Sequence, residues 1–352
     1  MNRKLASVQR ILELSPIPGA EKIELAKVLG WNVVVQKEQY SVNELIVFCE
    51  VDSILPRTTW TEFLFKDKLK PNFRLRTVRL RGQISQGIVF PLSILPQEYF
   101  SDMAGQVEME GLYSQIGIDV TTILGITKYE PNIPLNNSQI KSHFPSFLRK
   151  TDEERIQTCT FILDEFKGQE FYVTEKIDGK SMTVYLNNGE FGICSRNFDL
   201  KIDENVDFFK VARQLDIENK LRKVCKNIAI QGELYGEGIQ NNKYGLKGLH
   251  FSVYNVFDID KQEYLSFKDA YEFIFSIGLS WVPVPFGLYT DTLTLNHTVD
   301  DLVALSQGAS ALNPNVIREG IVIRSIVEKE IFRFGRLSFK VINPEFLLKY
   351  NE

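Results

Sequence analysis

Histidine is scarce in this chain, with only His143, His250 and His297 among 352 residues, all far apart in sequence. A histidine general base or a zinc centre is therefore a poor expectation. Cysteine is equally sparse: Cys49, Cys159, Cys194 and Cys225 form no C-x-x-C pair. That excludes the spacing of a structural metal ribbon or a disulfide framework and leaves reduced thiols. No apolar run approaches the ~20 residues that a membrane span requires. The amino terminus, MNRKLASVQRILELSP, has neither a long apolar centre nor a small-residue cleavage site, so an intracellular address without membrane attachment is expected. An excess of positive charge is also missing. With 41 Lys and Arg against 45 Asp and Glu, the net charge is −4. Such a chain does not coat polyanions through a bulk field, and must meet them with local patches, reinforced where carboxylates hold a divalent cation.

What is present is an ordinary globular composition, 44% hydrophobic and 24% charged, in a length that suits about two domains. Up to about Lys128 the chain is a series of short apolar runs. Strands are expected at Ser7 to Leu14, Ile23 to Val28, Trp31 to Gln36, Leu45 to Phe48, Arg74 to Leu80 and Gly87 to Pro91. Pro16, Pro18, Gly19, Gly30, Pro56 and Gly82 punctuate them. The pattern establishes a small all-β domain, and a five-stranded OB-like barrel suits its spacing. Its most basic stretch, Arg74, Arg76, Arg79 and Arg81, flanked by Phe73 and Gln83, suits either a phosphate backbone or a solvated strand edge.

Residues Glu130 to Ser146, EPNIPLNNSQIKSHFPS, read as a linker. Thr151-Asp152-Glu153-Glu154 matches a capping box and predicts a helix to about Asp164. Strands are expected next at Phe171 to Glu175, Met182 to Leu186 and Glu190 to Ser195, the last two joined by an Asn188-Gly189 turn. A two-helix stretch over Asn205 to Cys225 precedes strands at Ile228 to Glu233, Phe251 to Asp258 and Gly320 to Arg324. Helices are expected at Lys268 to Ile277 and at Asp300 to Ser306, the second opened by Thr298 with Asp301 three residues on. The second half is a mixed α+β domain. The expected boundaries are 1–128, a linker at 129–147, and 148–352.

Lys176 lies in TEKIDGKS, after one strand-like run and before the hairpin. A lysine is a nucleophile only when neutral, so its reference pKa of about 10.4 has to be lowered by desolvation or nearby positive charge. On its own K-x-D-G fits an exposed hairpin lysine equally well. It gains weight from five segments that lie downstream in order: Ser195-Arg196-Asn197, Gly232-Glu233-Leu234-Tyr235-Gly236, Tyr254-Asn255-Val256-Phe257-Asp258, Glu319-Gly320-Ile321-Val322-Ile323-Arg324, and Ser338-Phe339-Lys340. Most of these fall at or beside strand ends.

With the lysine segment, they resemble motifs I, Ia, III, IIIa, IV and V of the covalent nucleotidyltransferases, the superfamily of ATP-dependent DNA and RNA ligases and mRNA capping enzymes. Within it, the chain looks most like the nick-sealing RNA ligases of the Deinococcus and Naegleria type. A lead-in at Lys150 to Gln157 and an OB-like domain ahead of the catalytic one carry that likeness, and only 12 residues follow Lys340. The resemblance implies an N-terminal OB-like β-barrel followed by an ATP-grasp-like adenylyltransferase domain of antiparallel sheets and helices. It implies ATP and Mg²⁺ or Mn²⁺ as cofactors, RNA ends or a nicked duplex as partner, and a monomer. It implies Lys176 as the residue that takes AMP from ATP and passes it to an RNA 5′-phosphate.

The likeness further implies Lys340 on the α-phosphate, and Asp178, Glu233 and Glu319 around the metal through its waters, with Glu233 alternatively on a ribose hydroxyl. Tyr254 is placed on adenine, and Glu175 also belongs to the nucleotide site. Arg196 meets ribose or the RNA end, while Arg149 and Arg155 reach outgoing phosphates or serve as ordinary helix-start charges. The chain departs from the family at motif V, where two lysines separated by one residue are usual. Ser338 holds the first place, so Arg333 or Arg336 is a candidate substitute. A GTP-dependent capping enzyme and a DNA ligase share the Lys176 chemistry. A non-enzymatic alternative is an OB-fold nucleic-acid-binding protein with a degenerate nucleotide-binding domain.

Overall fold

A computed structural model describes residues 3–65, 70–96, 115–129, 137–224, 226–285 and 292–351. The chain divides into two compact units, Met1–Asn132 with Leu347–Glu352, and Ile133–Phe346. Among the described residues no helix is long and apolar enough to cross a membrane.

The first unit is built from short strands: β1 (Ala6–Arg10), β2 (Glu13–Pro16), β3 (Ile23–Val28), β4 (Trp31–Gln36), β5 (Leu45–Cys49), β6 (Ser53–Pro56), β7 (Asn72–Arg74), β8 (Val78–Leu80), β9 (Gln83–Ser85), β10 (Ile88–Pro91) and β11 (Thr127–Lys128). They pair antiparallel as β1-β5-β10, β2-β3-β4, β11-β6-β7 and β8-β9. Alternation decides which side faces in: along β4, Trp31, Val33 and Val35 are buried while their neighbours are not. These residues join Ile46, Phe48 and Val89 in one apolar cluster. Two runs expected as single strands are each two. Ser7 to Leu14 breaks at buried Ile11, whose N–H bonds the Glu44 carbonyl, and Arg74 to Leu80 breaks between β7 and β8.

The second unit holds two sheets. The larger one orders β12 (Ile140–His143), β17 (Phe198–Leu200), β16 (Glu190–Cys194), β15 (Lys180–Asn187), β18 (Ile228–Gly236), β19 (Leu249–Asp258) and β20 (Glu263–Tyr264), with β21 (Ser280–Trp281) also on β19. β12 lies inside the stretch expected as linker, and residues 130–136 of that stretch lie outside the described residues. The smaller sheet orders β13 (Glu154–Arg155), β26 (Ser338–Ile342), β23 (Gly320–Ser325), β14 (Glu170–Lys176) and β22 (Thr292–Thr294). β24 (Glu330–Ile331) and β25 (Gly335–Arg336) form a hairpin. Among the described residues the α-helices are α1 (Phe161–Glu165), α2 (Asp207–Gln214), α3 (Ile217–Val224), α4 (Phe267–Ser276), α5 (Val299–Ser306) and α6 (Pro344–Tyr350).

Each sheet has one apolar face covered by helices, and the opposite face carries polar groups, beside a smaller apolar cluster of Tyr185, Cys194, Ala229 and Phe257 in the larger sheet. In the larger sheet Met182, Val184, Ile230, Val253 and Val256 pack against Phe208 and Val211 of α2, Leu221 of α3 and Ile274 of α4. In the smaller one Phe171, Val173, Ile321, Ile323, Phe339 and Val341 pack against Ile162 of α1 and Leu302 of α5. The period of two then sends Thr174 and Lys176, Val322 and Arg324, and Ser338 and Lys340 to the opposite side, in register across three strands. Ser181, Glu233 and Gln231 take the polar side of the larger sheet.

The helix expected from Thr151 is not formed. Residues 154–155 are β13, parallel to β26, and α1 begins only at Phe161. Thr151 Oγ1 lies 3.2 Å from Tyr254 Oη, Asp152 pairs with Arg196 and Glu153 with Arg324. Tertiary partners have taken the groups that would have capped a helix. The motif at Thr298 does cap: its hydroxyl accepts from Asp301 N–H at 3.2 Å, and the Asp301 carboxylate accepts from Thr298 N–H at 2.9 Å. Cys49, Cys159 and Cys194 are buried free thiols, and Cys225 lies outside the described residues.

Candidate active site

Lys176 is the last residue of β14, opposite Gly320 of β23. That pairing brings it beside Glu319, one residue before β23, and the ammonium donates to Glu319 Oε1 at 2.6 Å. A Cβ at Gly320 would strike the Val341 carbonyl, and one at Gly179 would strike the Leu234 carbonyl. Both glycines are thus required by close backbone approach, the second where the K-x-D-G turn crosses β18. Glu233 comes from β18 on the facing sheet, and Asp178 follows Lys176 by two residues.

Burial alone would lower the proton affinity of Lys176. Glu319, Glu233 and Asp178 more than offset it, holding the ammonium above its ordinary pKa. This reverses the expectation of a lowered value: the amine is protonated and clamped among its carboxylates. Glu233 is pushed up to about 8, first by burial, with Lys176 opposing and Glu319 and Asp178 reinforcing. Tyr254 is also raised, by burial first and the Glu233 charge second.

The acids suit a hydrated divalent cation better than a direct cage. Among the described residues no three His, Cys, Asp or Glu side chains are already gathered as ligands. Glu319 Oε2, however, is buried without a hydrogen-bond partner. A carboxylate oxygen left in this state is costly unless a cation or its water meets it. The Glu319 and Asp178 charges both help to raise the Glu233 carboxyl, which puts them within electrostatic reach of it. They fit an ion that keeps much of its water.

Tyr254 owes its position to a β-bulge. The pairing of β19 with β18 slips between Gln231 and Gly232, leaving Tyr254 as the extra residue. Its hydroxyl lies 3.2 Å from Thr151 Oγ1 and 3.5 Å from Ser181 Oγ, and Arg324 Cζ lies 5.4 Å from its ring centroid. Lys340 and Arg196 share one anion, Asp152, at 3.5 Å and 2.7 Å.

The remaining candidates are elsewhere. Glu175 faces away from Lys176, accepting from Ser310 Oγ at 2.5 Å and Ala311 N–H at 2.8 Å. Arg149 pairs with Glu330 and lies 5.8 Å from the Phe257 ring centroid. Arg155 is buried on β13 rather than at a helix start. Ser338 is buried directly across from Arg324. Arg333 stands over Phe332, next to β25, and Arg336 reaches Asn255 Oδ1 at 2.6 Å while pairing with Glu328.

Sequence reasoning gave no role to Asp152, Glu153, Arg324 or Lys243. Glu153 bonds Arg324 Nη2 at 2.8 Å, and Arg324 Nη1 bonds Thr174 Oγ1 at 3.2 Å. Burial would raise the Glu153 carboxyl, yet Arg324, Lys340 and Arg336 keep it below its ordinary pKa. Lys243 pairs with Asp178 at 2.7 Å. The capping pattern hid the first two, and Lys243 sits in the loop sequence NNKYG, which gives no signal of burial.

A family model for an OB-fold domain matches residues 5–92, and one for RNA ligase matches residues 169–342. Comparison with curated protein sequences gives no match. Among solved structures, Naegleria gruberi RNA ligase with PPi is 36% identical, with a TM-score of 0.86 and coverage of 99% of each chain. An alanine variant of that ligase with ATP and Mn is 35% identical, with a TM-score of 0.85, covering 99% of this chain and 100% of the other. Another alanine variant, with AMP and Mn, is 36% identical at a TM-score of 0.85, with coverage of 99% of both chains. The chain therefore belongs to the RNA ligase family and carries an OB-fold domain ahead of its α+β nucleotidyltransferase domain.

Proposed function

We propose that this ligase joins RNA 3′-hydroxyl and 5′-phosphate ends, at nicks in duplexes, through AMP carried on Lys176. The observation that carries the reading is the Lys176 ammonium 2.6 Å from Glu319, on a polar face shared with Asp178 and Glu233. ATP with Mg²⁺ or Mn²⁺ is the cofactor set, supported by the Naegleria gruberi complexes with ATP and Mn.

In the first step neutral Lys176 Nζ attacks the α-phosphorus of ATP. A nitrogen–phosphorus bond forms as the bond from the α-phosphorus to the pyrophosphate oxygen breaks, pyrophosphate leaves, and the proton lost from the nitrogen passes to solvent. A divalent cation, when bound, screens the carboxylates and offsets charge on the transferring phosphoryl oxygens. Glu319, Glu233 and Asp178 would hold the ion, and with their charge so engaged the proton affinity of the Lys176 amine would fall. Lys340 supplies positive charge to the α-phosphate, and Arg324, two residues beyond its register partner Val322, lies on the same face. Tyr254 stacks on adenine from the bulge, and Arg196 contacts ribose or the RNA end. In the second step an oxygen of the RNA 5′-phosphate attacks the phosphorus and Lys176 leaves as the amine. In the third the 3′-hydroxyl attacks the 5′-phosphate and AMP leaves.

Incubation with labelled ATP, and separately with labelled GTP, tests the reading. Covalent label from ATP only is expected, lost in Lys176→Met and cut at least a hundredfold in Glu319→Ala. Label from GTP, or label retained in Lys176→Met, contradicts it.

A further inference from the structure

The loop between β18 and β19 is held in a backbone that side chains seldom adopt. Gln240, Asn241 and Asn242 have φ values of 45°, 59° and 46°, three consecutive non-glycine residues in the left-handed region. Asparagine tolerates this region better than most residues, glutamine less well, and a run of three persists only where the surroundings hold it. What holds it here is the K-x-D-G turn. Gln240 Nε2 donates to the Gly179 carbonyl at 3.4 Å. The hydroxyl of buried Tyr244 accepts from Asp178 N–H at 2.8 Å, and Asn313 Nδ2 donates to the Tyr244 carbonyl at 2.8 Å. Between these anchors Lys243 Nζ lies 2.7 Å from Asp178 Oδ2 and 4.9 Å from the Phe346 ring centroid. The Lys243 side chain is 7% exposed and that of Asp178 is 12% exposed.

A buried lysine on a carboxylate assigned to a divalent cation is unusual, because like charges at one anion compete. The charge count gives it a purpose. Asp178, Glu233 and Glu319, when ionised, face two ammonium groups, Lys176 and Lys243. Lys243, 2.7 Å from Asp178 Oδ2, cancels one of the negative charges that this cluster offers to a divalent ion. Without Lys243 that charge is left uncancelled.

We propose that Lys243 is a positioning residue for the cation site. It fixes the Asp178 carboxylate and lowers the negative charge offered to a divalent ion. The inference rests on the assignment of Asp178, Glu233 and Glu319 to that ion. Removing a unit positive charge from beside a carboxylate that faces a divalent ion changes the ion's affinity by on the order of tenfold, even under water-like screening.

Binding of Mn²⁺ to the full chain, read from the free-ion electron paramagnetic resonance signal, tests this directly. Lys243→Met is expected to bind Mn²⁺ about tenfold more tightly than the unaltered chain, and Lys243→Arg, which keeps the charge, within twofold of it. Unchanged or weaker binding in Lys243→Met overturns the proposal. Should that variant not fold, Lys243→Gln carries the same expectation, and failure of both to fold overturns the proposal too, since the pair would then serve the fold. The intact mass of the unaltered chain after ATP treatment reads the ligase assignment separately. No added AMP alongside the expected Mn²⁺ contrast would remove the adenylyl step and leave the charge assignment standing.

Discussion

An ammonium held 2.6 Å from a carboxylate in a partly buried site is a poor nucleophile, and Lys176 is held in this way by Glu319. Its raised pKa gives the pH dependence a definite sign. In the proposed reaction, lysyl-AMP formation at low Mg²⁺ is expected to rise with pH as the amine deprotonates, and more Mg²⁺ is expected to move the midpoint of that rise to lower pH. Single-turnover rates over a grid of pH and Mg²⁺ measure this, and a midpoint indifferent to Mg²⁺ contradicts it. Glu233 titrates the other way in stability. Its folded pKa of about 8 lies above the ordinary carboxyl value of 4.5, so the folded state retains a proton that the unfolded state loses across this window. Stability from this group is fully present below about pH 4.5 and declines as pH rises to about 8. Glu233→Gln is therefore expected to melt higher than the unaltered protein at pH 8, with the gap closing toward pH 5, while losing adenylyl transfer. Lys176, Asp178, Glu233 and Glu319 are all legible in the sequence because each occupies a fixed place in an ordered set of strand-end motifs. Arg324 reads there only as the last letter of one such motif, since nothing local marks a residue whose partners, Glu153 and Tyr254, are 171 and 70 positions away.

Two capping patterns, at Thr151 and Thr298, look alike in sequence and differ in outcome. At Thr298 the box closes on its own side chains. At Thr151 three successive side chains are engaged by Tyr254, Arg196 and Arg324, so the segment runs extended as β13. Local propensity of this kind amounts to about 1 kcal/mol, less than a buried charge pair is worth once one partner is removed. Glu153→Ala, which strands the Arg324 guanidinium, is expected to cost about 3–5 kcal/mol in chemical denaturation. Thr298→Ala should cost about 1 kcal/mol. A smaller loss for Glu153→Ala than for Thr298→Ala would contradict this ordering. Strands are legible where one face is covered, as in β3 and β4, whose bounds match the sequence expectation residue for residue. Short pieces such as β6 and β9 escape sequence reading because three or four residues carry too little alternation to detect.

At the scale of the whole chain, the barrel and the nucleotidyltransferase unit divide the work in the proposed reaction: the second holds the chemistry, and the first offers a basic edge. Arg74 is committed within the barrel, 2.9 Å from Asp52 and 3.5 Å from the Tyr129 ring centroid, whereas Arg79 and Arg81 are exposed on and beside the β8–β9 hairpin. Joint substitution of Arg79 and Arg81 by alanine is expected to weaken RNA binding and flatten its salt dependence by about two units of slope, leaving Lys176 adenylylation intact. Equal loss of both activities would place these arginines in the fold instead. The fold class and order of domains are legible from strand spacing and motif order, but the face-to-face arrangement of two polar sheet faces is not, because register across β14, β23 and β26 is set in part by pairings more than 140 residues apart. The most direct test of the central claim is the intact mass of the purified protein after incubation with ATP and Mg²⁺, followed by peptide mapping. The account predicts a gain of one AMP, localised to Lys176 and absent from Lys176→Met; an adenylyl group on any other residue, or none at all, would contradict it.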